Sequence, residues 1–283
     1  MREEYDFSNA KRAKDVPHLS KLQAEAKDKT CYISTKENNS MTKDRELELL
    51  ERIASLERII KEKVEEAPKV PTYNFGKITL KELRTLFELE RVYDHQVFNH
   101  WLNCDLVLAD EEIQFLTTLL EREIDLIKVY NEEDLKIHFI APILNQIDYK
   151  SFKHKIRDFY EESLVYETPQ FILSGITDFV VATGLEYPEK PYFFIQEFKK
   201  GLQYSNPEPQ LLAELIAAVE LNDVQSIKGA YIIGGNWSFV ILSKLDQHKY
   251  QYAISKNYDS TDLDKLIGIY KILRFVKQEI FRQ

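Results

Sequence analysis

The sequence predicts an α/β fold, with one mixed β-sheet flanked by helices and a helical extension at the N-terminus. The second half of the chain reads as helix, three strands, helix and strand, followed by further strands and a helix, which is typical of an α/β domain with one sheet. Hydrophobic residues make up 44% of the 283 positions, enough to bury a core. Sixteen Tyr and sixteen Phe against eight Gly indicate packed strands and helices.

Composition also excludes several functional classes. The N-terminus MREEYDFSNAKR is charged where a signal peptide is apolar, and no apolar run is long enough to span a membrane. Cys31 and Cys104 lie far apart, which fits a reducing compartment. We therefore expect a cytoplasmic protein without a membrane partner. His95 and His100 are five residues apart, which does not match the helical spacing of zinc ligands.

The N-terminal part of the chain predicts interaction with proteins. Residues 1–40 are polar and predict a flexible tail; their opening EYDFSNAKRAK resembles the tails of some small bacterial antitoxins, so a protein partner could order it. Residues 41–67 predict a coiled-coil helix, because apolar residues recur at alternating spacings of four and three between Leu49 and Ile60. We expect a homo-oligomer formed through residues 43–66. The alternative is an amphipathic helix docked on its own domain.

Residues 72–130 predict a helical region of two or three helices, broken near residues 103–110. No residue in this region suggests chemistry. We expect it to pack on the following domain or to form a surface for a partner.

A further helix is expected over Asn131–Ile147, with Asn131 as its N-cap. Its first turn contains Glu132, Glu133 and Asp134, which the helix dipole alone would favour. Residues 150–157 then read KSFKHKIR, a basic cluster in a chain of net charge −9. This cluster is equally compatible with a solvated strand edge and with a surface that contacts phosphate.

The central stretch runs from Ser174 to Lys200 and contains two apolar strands separated by a turn. Asp178 stands at the head of the first strand, and Glu197 and Lys199 lie at the tail of the second. Side chains two apart on a strand project to the same side, so a hairpin would bring Asp178 beside this pair. An E-x-K sequence is usually only an exposed ion pair, but the preceding apolar run predicts a buried strand. Converging carboxylates with a lysine suit Mg²⁺-dependent phosphodiester hydrolysis.

These residues resemble the motif of the PD-(D/E)XK nuclease superfamily, which has the restriction-endonuclease-like fold. The motif reads here as G-I-T-D ending at Asp178, with Thr177 in place of the usual proline, and E-F-K over Glu197–Lys199. The stretch NEEDLKIHFIAPIL resembles the N-E-x-D-x-R-x-x-x-I-x-P-x-L signature of restriction-related members, with Lys136 in place of the arginine. Residues 131–283 most resemble small stand-alone relatives of the N-terminal nuclease domain of type I restriction subunits.

The resemblance implies roles for particular residues. Asp178, Glu197 and the backbone carbonyl of Phe198 would bind Mg²⁺ or Mn²⁺, and Lys199 would act on the attacking water. Glu132, or Glu133 in a register shifted by one, would be the acid of the first helix. Residues expected to position the substrate are Gln210, Lys153, Lys155 and Lys200.

The function that follows is that of a metal-dependent nuclease, with DNA as the expected substrate, in a defence or mobile-element system. The net charge of −9 does not favour a protein that binds nucleic acid tightly by itself. The alternative is therefore a catalytically inactive nuclease fold that serves as an oligomeric protein-interaction module. In that case Lys199 would be a structural counter-ion of Glu197.

Overall fold

The computed structural model of the chain describes residues 43–66, 70–199 and 206–282. The chain divides into two compact units, residues 1–69 and residues 70–283. The predicted tail at residues 1–40 lies outside the described residues. Among those that are described, no helix is apolar and long enough to cross a membrane.

The described part of the first unit is a helix, α1, which spans Lys43–Glu66. Its large apolar side chains Leu47, Leu49, Leu50, Ile53 and Leu56 are 46–61% exposed. The helix agrees with the sequence prediction for residues 41–67. Its association into a coiled coil stays a prediction.

The second unit is built on one mixed sheet. Residues 70–199 and 206–282 contain nine strands in it: β1 Thr72–Asn74, β2 Glu88–Val92, β3 Ile156–Glu167, β4 Ile172–Thr183, β5 Glu189–Lys199, β6 Ser226–Ile233, β7 Asn236–Asp246, β8 Lys249–Ile254 and β9 Tyr258–Asp259. The order is β1-β4-β5-β6-β7-β8-β2, while β3 pairs with β4 and β9 with β7. The pairs β1–β4, β5–β6 and β2–β8 are parallel, and the others are antiparallel.

Helices cover both faces of the sheet. They are α2 Leu80–Leu86, a 3₁₀ turn at His95–Phe98 that leads into α3 Asn99–Leu102, α4 Asp110–Glu123, α5 Glu132–Leu135, a π turn at Lys136–Ile140, α6 Ala141–Ile147, α7 Pro207–Asn222 and α8 Leu263–Ile280. One core lies between the sheet and α3, α4, α6 and α8, and a second lies between the sheet, α2 and α7. The predicted α/β class with a mixed sheet and flanking helices is confirmed.

Helix α7 is the most enclosed element. All of its residues from Leu211 to Val219 are buried, which fits a helix that is apolar on every side. The sheet curls around it: the ring of Phe87, before β2, contacts both Phe171, before β4, and Tyr250 on β8. Gly229 on β6 lets the helix approach, because a Cβ there would lie 3.0 Å from Leu215 Cδ2.

The prediction of a purely helical region at residues 72–130 is incomplete, because this region contributes β1 and β2 to the sheet. A side chain at Gly175 on β4 would lie 2.7 Å from the ring of Phe75, so this glycine allows the segment after β1 to pack closely. Strand β1 has three residues, and β2 reads ELERV with only Leu89 buried. Such short, polar edge strands carry little hydrophobic pattern, so the sequence did not reveal them.

Two predicted elements differ in detail. The helix over Asn131–Ile147 begins as expected, with Asn131 Oδ1 accepting from the Asp134 amide at 2.8 Å, but it contains a π turn in which the Ala141 amide donates to the Lys136 carbonyl. The first of the three strands predicted after this helix is the long strand β3, in which Glu161 has a positive φ of 55°. Asp178 lies inside β4 and not at its head.

Candidate active site

The pairing of β4 with β5 brings Asp178 and Glu197 together, as the predicted hairpin requires. Phe179 is the partner of Gln196 in this antiparallel pair, and the Phe198 amide donates to Asp178 Oδ2 at 2.7 Å. Glu197 is fully buried and Asp178 is 9% exposed. Two carboxyl groups therefore converge in the interior, where an uncompensated charge is costly.

Lys199 lies on the same side of β5 as Glu197 and contacts three acids. Its Nζ is 2.6 Å from Glu197 Oε1, 3.5 Å from Glu132 Oε1 and 4.0 Å from Asp178 Oδ2. Glu132 projects from the first turn of α5, and its side chain is 40% exposed, so it forms the solvent side of the group. The structure thus brings together the four residues predicted to be catalytic.

A second ammonium group lies on the other side of Asp178. Lys136 Nζ is 3.6 Å from Asp178 Oδ1 and 3.7 Å from Glu133 Oε2, and it also contacts Glu161. Two backbone irregularities meet at this point, the π turn that begins at Lys136 and the positive φ of Glu161. Glu133, the alternative first-helix acid, therefore contacts Lys136 and not the Lys199 group.

Helix α7 contributes a third buried carboxyl, that of Glu214. Its Oε1 accepts from Gln210 Nε2 at 3.2 Å, and its Oε2 has no hydrogen-bond partner. Sequence reasoning missed Glu214 and proposed Gln210, which is itself buried, one helical turn away. A signal was present, since Glu214 is the one charged residue in the apolar run QLLAELIAAV.

The carboxyl groups perturb one another. Burial raises the pKa of Glu197 to about 9, the Asp178 carboxyl adds to the increase, and Lys199 opposes it. Burial also raises the pKa of Glu214 well above its usual range, and Glu197 adds to that rise. For Lys199, burial would lower the pKa, but Glu197, Asp178 and Glu132 outweigh burial and raise it.

The other predicted residues take different positions. The structure does not bring Lys153 and Lys155 to this site: both are exposed in the turn before β3, and Ile156 pairs with Thr183, five residues beyond Asp178. At strand spacing this separation is about 17 Å. The side chain of Phe198 is buried. Lys200 lies outside the described residues.

The donor chemistry suits a hard divalent cation. Carboxylate and carbonyl oxygens are the ligands that Mg²⁺ and Mn²⁺ prefer, and Glu197 Oε2 is a buried acceptor without a hydrogen-bond partner. Within residues 43–66, 70–199 and 206–282, however, no three acidic, histidine or cysteine side chains are preassembled as metal ligands. The contacts of Lys199 give the physical reason, because its ammonium group lies between Glu197, Asp178 and Glu132.

Comparison with known proteins adds no family to this description. The sequence matches no model of a protein family. It also matches no curated protein.

Proposed function

We propose that this protein is a metal-dependent nuclease of the PD-(D/E)XK type that hydrolyses phosphodiester bonds in nucleic acid. The expected substrate is DNA, and the expected setting is a defence or mobile-element system. One observation carries the proposal: two buried carboxyl groups, Asp178 and Glu197, converge from adjacent strands beside the ammonium group of Lys199. The curled mixed sheet with helices on both faces is compatible with the restriction-endonuclease-like fold.

Asp178, Glu197 and the Phe198 carbonyl would hold Mg²⁺ or Mn²⁺, and Glu132 would complete the solvent side. When bound, the cation supplies an activated water and polarises the phosphate. The Phe198 amide keeps the carboxylate of Asp178 in a fixed orientation. Lys199 would exchange its contact with Glu197 for one with the attacking water or the developing negative charge.

A cleft of about 410 Å³ beside these residues is the expected approach for the substrate. It is lined by Leu135 on α5 and Gly234 on the β6–β7 turn, among others, and includes Lys128. The Gly234 amide donates to the Lys199 carbonyl at 2.8 Å, so the cleft begins next to the candidate site. A homo-oligomer formed through residues 43–66 would place several such clefts on one duplex, so that weak contacts would add up although each copy carries a net charge of −9.

A second candidate function, that of an inactive scaffold for protein interactions, is favoured by a specific observation. Lys199 and Lys136 already lie among the carboxylates, within 4.0 Å of Asp178 in both cases. In this view the two lysines are permanent counter-ions, and the exposed apolar residues of α1 recruit a partner.

Calorimetric titration with Mn²⁺ and Mg²⁺ separates the two candidates. The nuclease predicts saturable binding to the wild type and loss of binding in Asp178→Asn. The matched control is Asp158→Asn, because Asp158 is also a buried aspartate, lies on β3 and pairs with Lys150 at 3.6 Å. Cleavage of plasmid, single-stranded DNA and RNA should follow the same pattern. A wild type that neither binds these ions nor cleaves any of these substrates would support the scaffold instead.

A further inference from the structure

Glu214 is buried without the pairing that a structural acid requires. It is fully buried on α7, and it receives one hydrogen bond, from Gln210. Its Oε2 is shielded from solvent and has no hydrogen-bond partner within the described residues. A buried carboxyl left in this state costs stability, whereas a leucine or glutamine would cost less. The fold alone therefore does not account for an acid at this position.

The same helix shows how a structural acid is accommodated. Glu220, six residues further along α7, is 3.0 Å from Lys244 Nζ through Oε1 and also accepts from the Tyr250 hydroxyl at 2.5 Å. Glu220 therefore has a cationic partner and a neutral donor. Glu214, on the same helix, has a neutral donor in Gln210 but no cationic partner among the described residues.

The neighbours of Glu214 are the carboxyls of the candidate site. The pKa of Glu214 is raised by the carboxyl groups of Glu197 and Asp178 and is lowered by the ammonium group of Lys199. Glu197 Oε2 is, like Glu214 Oε2, a buried acceptor without a partner. Near these three buried acids, two ammonium groups, those of Lys199 and Lys136, lie within 4.0 Å of Asp178, and neither forms an ion pair with Glu214. A doubly charged ion bound at Asp178 and Glu197 would supply positive charge that Glu214 lacks.

We propose that Glu214 is a positioning residue for a divalent cation that binds at Asp178 and Glu197. Glu214, held by its hydrogen bond from Gln210, would support Glu197 and so strengthen the binding of the ion. This inference rests on the proposed function and extends it to α7. Glu214 would act through Glu197, because a bound cation would favour the ionised form of both carboxyl groups, while Gln210 holds one oxygen of Glu214. Residues that support metal ligands in this way typically change metal affinity when they are replaced.

The test compares Glu214→Gln with Glu220→Gln by calorimetric titration with Mn²⁺ and by thermal unfolding without added metal. Glu214→Gln should lose about ten-fold or more in Mn²⁺ affinity. It should melt at or above the wild-type temperature, because it removes a buried acid. Glu220→Gln should melt at a lower temperature and bind Mn²⁺ as the wild type does. Glu214→Asp, which keeps the charge, should retain most of the affinity.

Four results would overturn the inference. If Glu214→Gln bound Mn²⁺ like a wild type that itself binds, the role of Glu214 would be disproved and the proposed function would stand. If Glu214→Gln melted as low as Glu220→Gln, or if Gln and Asp lost equal affinity, Glu214 would serve packing. If the wild type bound no Mn²⁺, the inference and the proposed cation site would fail together.

Discussion

Two groups of acids in the second unit, one partly buried and one buried, differ in how completely they are paired. Glu112 on α4 accepts from the Ala109 amide at 2.9 Å and from the Tyr270 hydroxyl at 3.0 Å, and it forms an ion pair with Arg274. In the candidate site, Glu197 and Glu214 each retain a buried oxygen without a hydrogen-bond partner. The acid of the first group thus has hydrogen-bond donors and a cation as partners, whereas each acid of the second group has an oxygen without a donor.

This difference separates acids that stabilise the folded protein from acids that destabilise it and depend on the packing around them. A buried acid with matched donors stabilises the protein, and removing it leaves a buried cation unpaired. Buried acids with bare oxygens lower the free energy of unfolding, and the apolar packing around α7 has to compensate for them. Such a cost is typical of functional sites, where local rules of stability are broken.

The largest expected effect contrasts two lysines that each pair with a glutamate. Lys199 is 2.6 Å from Glu197, and Lys244 is 3.0 Å from Glu220. Lys199→Met should reduce DNA cleavage by about 10²–10³-fold, because a group that stabilises the reacting charge is lost. Lys244→Met should leave the cleavage rate unchanged and lower the melting temperature. Cleavage assays and thermal unfolding of both variants make the comparison.

The same pair of variants tests the scaffold. If Lys199 is only a counter-ion, Lys199→Met should resemble Lys244→Met, with reduced stability and no change in any activity. Equal cleavage rates in active wild type and Lys199→Met would contradict the role assigned to Lys199.

A smaller effect, on stability alone, is expected when Glu112 is replaced. Glu112→Gln should lower the free energy of unfolding by about 2 kcal/mol, because Arg274 loses its partner while remaining partly buried. Urea denaturation measures this change, and Mn²⁺ titration of the same variant should match the wild type. A loss of Mn²⁺ binding in Glu112→Gln would instead show that Glu112 and the candidate site are coupled.

The two groups are also expected to differ in the sign of their pH dependence. Burial would raise the pKa of Glu112, but the Ala109 amide, Tyr270 and Arg274 outweigh burial and lower it below 4.5. The stability that Glu112 contributes is therefore present above about pH 4.5 and is lost as the pH falls through its folded-state pKa. Urea denaturation of wild type and Glu112→Gln below pH 4.5 measures this difference.

For Glu197 we expect the opposite dependence of stability on pH. Its pKa is raised from 4.5 to about 9, so the unfolded chain binds fewer protons than the folded protein between these values. Stability should then fall as the pH rises through this range, and Glu197→Gln should show a flatter profile. Identical profiles for the two proteins would mean that Glu197 is ionised throughout.

The strands of the candidate site were predictable because their signals are local. Alternation along each strand places Glu197 and Lys199 on one side, and a short turn makes pairing with the strand of Asp178 the simplest arrangement. Glu132 followed from resemblance to a known signature. The edge strands β1 and β2 were not predictable, because three residues and a charged pentapeptide carry too little pattern.

Positions that depend on strand direction and helix docking were beyond sequence reasoning. The basic cluster with Lys153 and Lys155 lies close to the site in sequence, but β3 runs antiparallel to β4 and carries it to the far end of the pair. Glu214 is distant from Glu197 in the sequence, and only the packing of α7 against β5 brings the two carboxyl groups close enough to interact electrostatically.

The sequence by itself determined the α/β class, helix α1 and the pair of strands with Asp178, Glu197 and Lys199, since these depend on periodicity and on neighbours along the chain. Only the tertiary structure decided which charges are paired and which are not. Lys136 meets Asp178 through a π turn, Glu133 is drawn away from Lys199, and Glu214 is enclosed with a bare oxygen. The reason is physical: the balance of a buried charge depends on every element packed around it, and that packing is not local in sequence.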